Sequence, residues 1–531
     1  MQAFIRRASG LAAAFVLLAG CGTDTQTSAV ATSTARGTLV ESPPLRIASL
    51  SATALADELT ASGTSGQQLL LIAGTPACGV DFHYFHYQTV DPAGTAIRDS
   101  GALMIPTGGT GCTGPRPIVL YAHGTDTDKA LNIADITDPT NSEGALIATM
   151  FAAQGYIVVA PNYAGYDDST LSYHPYLNAD QQSKDMIDAL AAARSALGKV
   201  IASGTTDNGK LFITGYSQGG HVAMATHRAL QAISPTAVTA SAPMSGPYAL
   251  EAFGDAIMYG NVDLGSTVFT PMLTTSFQKS YGNIYASVGD VYESAYATGI
   301  EGILPSTTSL TDLFTTGKLP QLQLFHNTDW TGLIGNAQLE AALNVPAVNP
   351  QVPVTALFAA GFGPNNLVKD SYRLAYILDA VAHPDGAVPA ATTLQPAAAP
   401  AHPLRQAFKA NDLRNWTPTS PVFLCGGGQD PTVFFAPNTG AIQAYWTYIA
   451  PPAVPQLLTV LDLESALGTP GPTNPFYAAK GGFAQAKQNT FLAAGGATDS
   501  AAGAQAVTQA YHGGLVPPFC TAAVRGFFSQ F

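Results

Sequence analysis

The sequence predicts an α/β fold: a mostly parallel central sheet with helices on both faces and a mainly helical insertion. Three observations carry this. Short runs of consecutive apolar residues, the mark of strands buried on both faces, alternate with helix-length segments as far as residue 247. The alternation then stops from 248 to 415. Strand patterns return at 422–424 and 457–461, so one sheet interrupted by an insertion explains the chain better than separate domains.

Taken in order, residues 1–20 read as an export signal. Arg6 and Arg7 precede an apolar stretch over 11–18, too short to span a bilayer, and Leu18-Ala19-Gly20-Cys21 follows. Small residues ending in cysteine resemble a bacterial lipobox, which implies cleavage before Cys21, a lipid on its sulfur and attachment to a membrane of the cell envelope. Residues 21–45, rich in Thr, Ser, Ala and Gly, are expected to be a flexible tether. The first part of the α/β core is placed at 46–247. Within it, 84–90 and 101–105 flank Asp91-Pro92-Ala93-Gly94 and predict a hairpin. PIVLY at 117–121 and YIVVA at 156–160 predict buried strands with a helix over 144–154 between them. Residues 179–197 put Met186, Ile187, Leu190 and Leu197 on one helical face. A third strand over 211–214 leads into a helix over 219–233. In the insertion, 248–415, helices are expected over 309–316, 335–343 and 366–382, with an exposed low-complexity loop at 387–403. The core resumes over 416–531.

Composition narrows the function classes. Hydrophobic residues make up 47%, which excludes a disordered chain, and 52 Gly with 37 Pro show no three-residue period, which excludes collagen. The net charge is −13 with no Lys/Arg-rich run, which speaks against a nucleic-acid partner. Besides Cys21 there are four cysteines, Cys78, Cys112, Cys425 and Cys520, an even number that suits two disulfides in an oxidising compartment. No pair has the C-x-x-C spacing of a zinc site.

The chemistry is concentrated at Gly215-Tyr216-Ser217-Gln218-Gly219, a G-x-S-x-G between a strand and a helix. In that context Ser217 stands in a tight turn with its hydroxyl exposed. A serine hydroxyl needs a base to take its proton, and the base needs an oriented tautomer. His512 is the one histidine after the returning strands and is the expected base; His221 and His227, on the helix leaving the turn, read as packed or solvated. Asp430, at a strand end followed by a Gly-rich turn, is the expected acid, with Asp462 the competitor, whose alternative role is a strand-end cap. If Asp430 and His512 meet, Cys425 and Cys520 come together, so a Cys425–Cys520 bridge is expected and Cys78–Cys112 remains by elimination. Two N–H groups must face the developing oxyanion. Gln218, after the nucleophile, supplies one; Thr125, in His123-Gly124-Thr125-Asp126, is preferred to Gly124 for the other. His123 is expected to shape that loop. Asp126 and Asp128 lack the rest of a calcium loop and read as a solvated turn.

These stretches resemble the α/β-hydrolase superfamily, and specifically the secretory-lipase group of the Candida lipase A type. The matching segments are YAHGTD at 121–126, GYIVVAPNYAGY at 155–166, HPYL at 174–177, GYSQGG at 215–220 and NWTP…GGGQDPTV across 415–433. The resemblance implies a Ser217–His512–Asp430 triad, a helical cap at the insertion, and hydrolysis of carboxylic esters, often of lipids. The insertion carries no matching motif, and in that family the cap sets acyl-chain preference. A bridge between acid and base loops is also similar to tannase and feruloyl esterases, although there the cysteines sit adjacent to the acid and base. The expectation is an exported serine esterase or lipase acting on an ester with an apolar acyl chain, with no cofactor and no metal. The alternatives are a serine peptidase, for which Asp167-Asp168 is the candidate amine-binding pair, and a non-catalytic surface binding protein.

Overall fold

A computed structural model describes residues 35–138, 140–200, 204–349 and 354–531. The export signal, Cys21 and most of the tether lie outside the described residues. From residue 35 onward the chain forms one compact unit.

Its centre is a nine-stranded sheet in the order β1-β2-β3-β5-β4-β6-β7-β8-β9. The strands are β1 (Leu45–Leu50), β2 (Gly79–Val90), β3 (Ala96–Thr107), β4 (Gly114–Ala122), β5 (Ile157–Pro161), β6 (Thr205–Tyr216), β7 (Ala240–Met244), β8 (Val422–Gly426) and β9 (Leu458–Asp462). β1, β2, β3 and β5 pair antiparallel, with β2 and β3 forming the expected hairpin. From β5 through β9 every pairing is parallel. Alternate residues of the parallel strands feed opposite faces, as the two-residue period of a strand requires. Ile118, Leu120, Ile157 and Val159 join one core. Val119, Tyr121, Val158 and Ala160 join the other. Helices α4 (Ala179–Leu197) and α5 (Gln218–Ile233) cover the first face, and α1 (Ala52–Ala61), α2 (Thr64–Ala73), α3 (Ser142–Met150) and Val516–Phe528 cover the second.

One expectation is corrected. Residues 36–45, assigned to a flexible tether, run along β2: Gly37 N–H donates to Gln88 O at 2.8 Å and Val40 N–H to His86 O at 2.9 Å. Arg36 also bridges to Asp188 at 2.9 Å. The loop at 387–403 is mostly exposed, as expected, and is pinned at Ala397. Ala397 is buried and its N–H donates to Glu251 Oε2 at 2.9 Å.

Between β7 and β8 come helices and loops, with no strand among the described residues. Here α6 (Leu250–Met258) and α7 (Ser266–Tyr281) are followed by shorter helices including Leu310–Thr315, Ala337–Leu343, Asp370–Ala382 and Pro403–Asn411. They enclose an apolar core of their own, which Tyr176 and Leu177 join from the sheet side. Two buried arginines bind this region together. Arg405 reaches Asp255 at 2.9 Å and Asp379 at 2.9 Å, and Arg414 reaches Asp385 at 2.6 Å and Asp412 at 2.8 Å.

Candidate active site

The site forms at the carboxyl ends of the parallel strands, where an open α/β sheet presents loops to a ligand. β6 runs into Ser217, which has φ +58° and ψ −121°, and α5 begins at the next residue. A non-glycine residue there is strained and must be held by its surroundings. Ser217 N–H donates to Met244 O at 3.0 Å. The flanking glycines let the turn close on β4: a Cβ at Gly219 would lie 1.9 Å from Ala122 O, and one at Gly215 2.4 Å from the same oxygen.

His512 stands in a π-helical turn, Tyr511–Leu515, between helices Ser500–Ala510 and Val516–Phe528. Such wide turns re-aim a side chain out of the regular helical spacing. Its Nε2 lies 2.8 Å from Ser217 Oγ and its Nδ1 2.7 Å from Asp430 Oδ2. A carboxylate only accepts, so Nδ1 carries the proton and Nε2 is left to accept from the serine hydroxyl. Tyr216 O–H donates to His512 O at 2.6 Å and fixes the turn. Asp430, buried in the loop after β8, has its other oxygen occupied by the N–H groups of Thr432 and Val433 at 2.9 and 3.1 Å. Asp462 instead accepts from the N–H groups of Gly428 and Glu464, at 2.7 and 2.8 Å, and caps its strand end.

Disulfides join Cys425 to Cys520 and Cys78 to Cys112. The first fastens β8, which leads to Asp430, to the helix that follows His512.

The 123–126 loop faces Ser217. Gly124 N–H is taken by the Glu143 carboxylate, at 3.1 Å to each oxygen, whereas no hydrogen bond among the described residues uses the N–H of Thr125. Gln218 opens α5, so its N–H has no carbonyl one turn back to receive it. Glu143 was not singled out in the sequence. Its partners Tyr121 and Gly124 are 22 and 19 residues away, and nothing local marks it. Desolvation pushes its carboxyl above the usual range.

The remaining candidates lie elsewhere. His123 is packed, its ring nitrogens 2.7 Å from Gly124 O and 3.1 Å from Asn162 O. His221 meets Asn411 O at 2.9 Å, and His227 meets Ser241 Oγ at 2.7 Å; burial lowers them to about 4 and about 3. Asp126 and Asp128 each accept from an N–H two residues on, at 2.7 and 2.9 Å. No group of three or more metal-ligating side chains occurs among the described residues. Asp167 accepts from Tyr84 and Ser100, both at 2.6 Å, and Asp168 meets His86 at 3.1 Å. Neither carboxylate borders the space at Ser217.

Ser217 sits where two cavities meet. One is apolar and lies under the insertion, lined by Leu250, Phe253, Met258, Phe269, Leu273 and Phe408. The other is a wider, more polar cleft bordered by Thr125, Asp138, Asn141, Glu143 and His512. Asp263 lines the apolar cavity, and desolvation raises its carboxyl to about 7.

Comparison with known proteins gives three findings. Residues 144–245, from α3 to just past β7, match the Prolyl oligopeptidase family, a stretch that holds Ser217 but neither Asp430 nor His512. No curated protein matches the chain. Among solved structures, the rice cell wall degrading esterase LipA from Xanthomonas oryzae matches at 27% identity and a TM-score of 0.60, over 81% of this chain and 91% of that one. A ligand-bound form of that esterase matches at 25% identity and a TM-score of 0.64, over 94% and 100%. Candida antarctica lipase A matches at 13% identity and a TM-score of 0.43, over 81% and 76%, too low to bear on function.

Proposed function

We propose, on the premise that the chain is an α/β-hydrolase, that it is an exported serine esterase cleaving carboxylic esters with an apolar acyl chain. The observation that carries this is the unbroken line Asp430–His512–Ser217, at 2.7 and 2.8 Å, opening onto the apolar cavity. Ser217 Oγ attacks the ester carbonyl while His512 Nε2 takes its proton, and Asp430 orients and stabilises the imidazolium. The N–H groups of Gln218 and Thr125 hold the tetrahedral oxyanion. His512 returns the proton to the leaving alcohol, and water then hydrolyses the acyl-enzyme with His512 again as base. The acyl chain occupies the apolar cavity under the insertion, and the alcohol leaves through the polar cleft. The likeness to an esterase favours ester over amide.

The match to the Prolyl oligopeptidase family favours a second reading, a serine peptidase on the same fold. Against it, Asp167 and Asp168 are engaged away from Ser217. Turnover of p-nitrophenyl esters from two to sixteen carbons, beside amino-acid p-nitroanilides, separates the two. Ester cleavage lost in Ser217→Ala supports the first reading; anilide cleavage with negligible ester turnover replaces it with the second. Export and a lipid on Cys21 are supported by the leader sequence and the two disulfides. Palmitate labelling that survives Cys21→Ala would remove the lipid from this reading.

A further inference from the structure

The segment His174-Pro175-Tyr176-Leu177, between β5 and α4, touches both residues proposed as oxyanion donors. His174 Nε2 lies 2.6 Å from Gln218 Nε2, and its Nδ1 lies 2.8 Å from Ala164 O. A carbonyl oxygen only accepts, so Nδ1 carries the proton and Nε2 accepts from the Gln218 amide. That fixes the amide orientation and leaves Gln218 Oε1 buried without a hydrogen-bond partner. A protonated ring would present N–H to N–H; burial lowers His174 to about 3 and keeps the ring neutral. Two residues on, Tyr176 O–H and Thr125 Oγ1 are 3.0 Å apart.

Earlier residues of the same β5–α4 loop brace the 123–126 loop at two further points. Tyr163 O–H donates to His123 O at 3.1 Å, and Tyr166 O–H to Asp126 O at 2.6 Å. The His174 ring packs on Tyr166, with centroids 4.6 Å apart. Tyr163 and Leu177 have positive φ, +67° and +55°, so the loop is strained at each end and held by its contacts. On its far side it meets the insertion: Tyr176 stacks on Phe269 of α7 at 6.4 Å, and Asn178 Nδ2 donates to Ser280 Oγ at 3.0 Å.

We propose that His174 and Tyr176 are positioning residues for the oxyanion hole, one for each donor, carried on a single loop that also bears on α7. The inference rests on the reading of Gln218 and Thr125 as donors. Oxyanion donors act only when aimed where charge develops, so their supports affect the transition state more than substrate binding. His174 borders neither cavity at Ser217 and acts through Gln218; Tyr176 also lines the apolar cavity, so its hold on Thr125 is read from the split between kcat and KM.

The test uses Tyr176→Phe, which deletes one hydroxyl, and His174→Phe, which keeps an aromatic ring but removes the acceptor. Each is measured for p-nitrophenyl butyrate turnover and for inhibition by butylboronic acid, whose tetrahedral adduct on Ser217 mimics the oxyanion. The expected result is a fall in kcat of about 10-fold for Tyr176→Phe and about 10- to 100-fold for His174→Phe, with KM within about threefold. Boronate affinity should weaken in parallel with kcat. His174→Gln, which restores an acceptor, should recover part of the loss. Folded variants with wild-type kcat and boronate affinity overturn the positioning role while leaving the esterase reading intact. A rise in KM with boronate affinity unchanged also overturns it. A wild-type protein that neither turns over the ester nor binds the boronate overturns both readings. Should His174→Phe fail to fold, Tyr176→Phe decides alone.

Discussion

At Asp430 the sequence offered only a carboxylate after a strand and a glycine-rich turn; the structure puts its Oδ2 2.7 Å from His512 Nδ1. Asp430→Asn replaces an acceptor with an amide of the same size and turns the histidine toward the wrong tautomer. On the proposed mechanism kcat should fall about 10⁴-fold, with near-normal folding by circular dichroism. A loss below about tenfold would remove Asp430 from the acid's role. Asp263 gives a residue-scale prediction of another kind. It accepts from Ser266 O–H in the wall of the apolar cavity, and its carboxyl stays neutral to about pH 7. In the unfolded chain an aspartate ionises near pH 4. Between those values the folded state binds more protons, so this group makes stability fall as pH rises, on the order of 4 kcal/mol across the window, and level off above it. Asp263→Asn should flatten that part of the curve; urea midpoints of the two proteins running parallel from pH 4 to 8 would refute this. Ser217 was legible because strand–turn–helix context is local, and His512 because one histidine follows the returning strands. Glu143, His174 and Tyr176 lacked assigned roles because their partners lie 19 to 51 residues away.

At the scale of elements, the buried strands were legible because both their faces are apolar. β4, β5, β6, β8 and β9 lie close to where consecutive apolar residues put them, α4 spans the expected residues, and β7 went unassigned. β1 was not legible. It is an edge strand with Leu45 63% exposed, held by backbone pairing to β2 that leaves little pattern in its side chains. α1, α2 and the late helices Tyr477–Ala493 and Ser500–Ala510 also went unassigned. Their buried residues are few, so the helical period is faint. The Cys425–Cys520 bridge couples two elements of the site, β8 and Val516–Phe528, across 95 residues. A closed loop of that length contributes about 4–5 kcal/mol in the chain-entropy model. Cys425→Ser with Cys520→Ser should therefore lower the urea midpoint. An unchanged midpoint would show that packing alone holds the acid and base loops together.

For the whole molecule, the insertion has an apolar core of its own, and buried ion pairs tie its helices to one another. Arg405, fully buried, gathers Glu251, Asp255 and Asp379 from α6 and Asp370–Ala382. Removing one member of such a cluster strands the others, whereas replacing all of them with apolar residues need not destabilise. Arg405→Ala should cost about 3–5 kcal/mol, measured by urea unfolding, and the loss should reach activity because α6 lines the apolar cavity. Wild-type stability in that variant would mean that the apolar core of the insertion suffices. The existence of an insertion was legible from the break in strand–helix alternation. Its internal arrangement was not, because distant carboxylates converging on one arginine leave no periodic trace.

Ser217 and His512 stand 295 residues apart in the chain, with the insertion and the last strands between them. A nascent polypeptide therefore carries Ser217 long before His512 exists. The line Asp430–His512–Ser217 can thus close only on a chain that is all but finished.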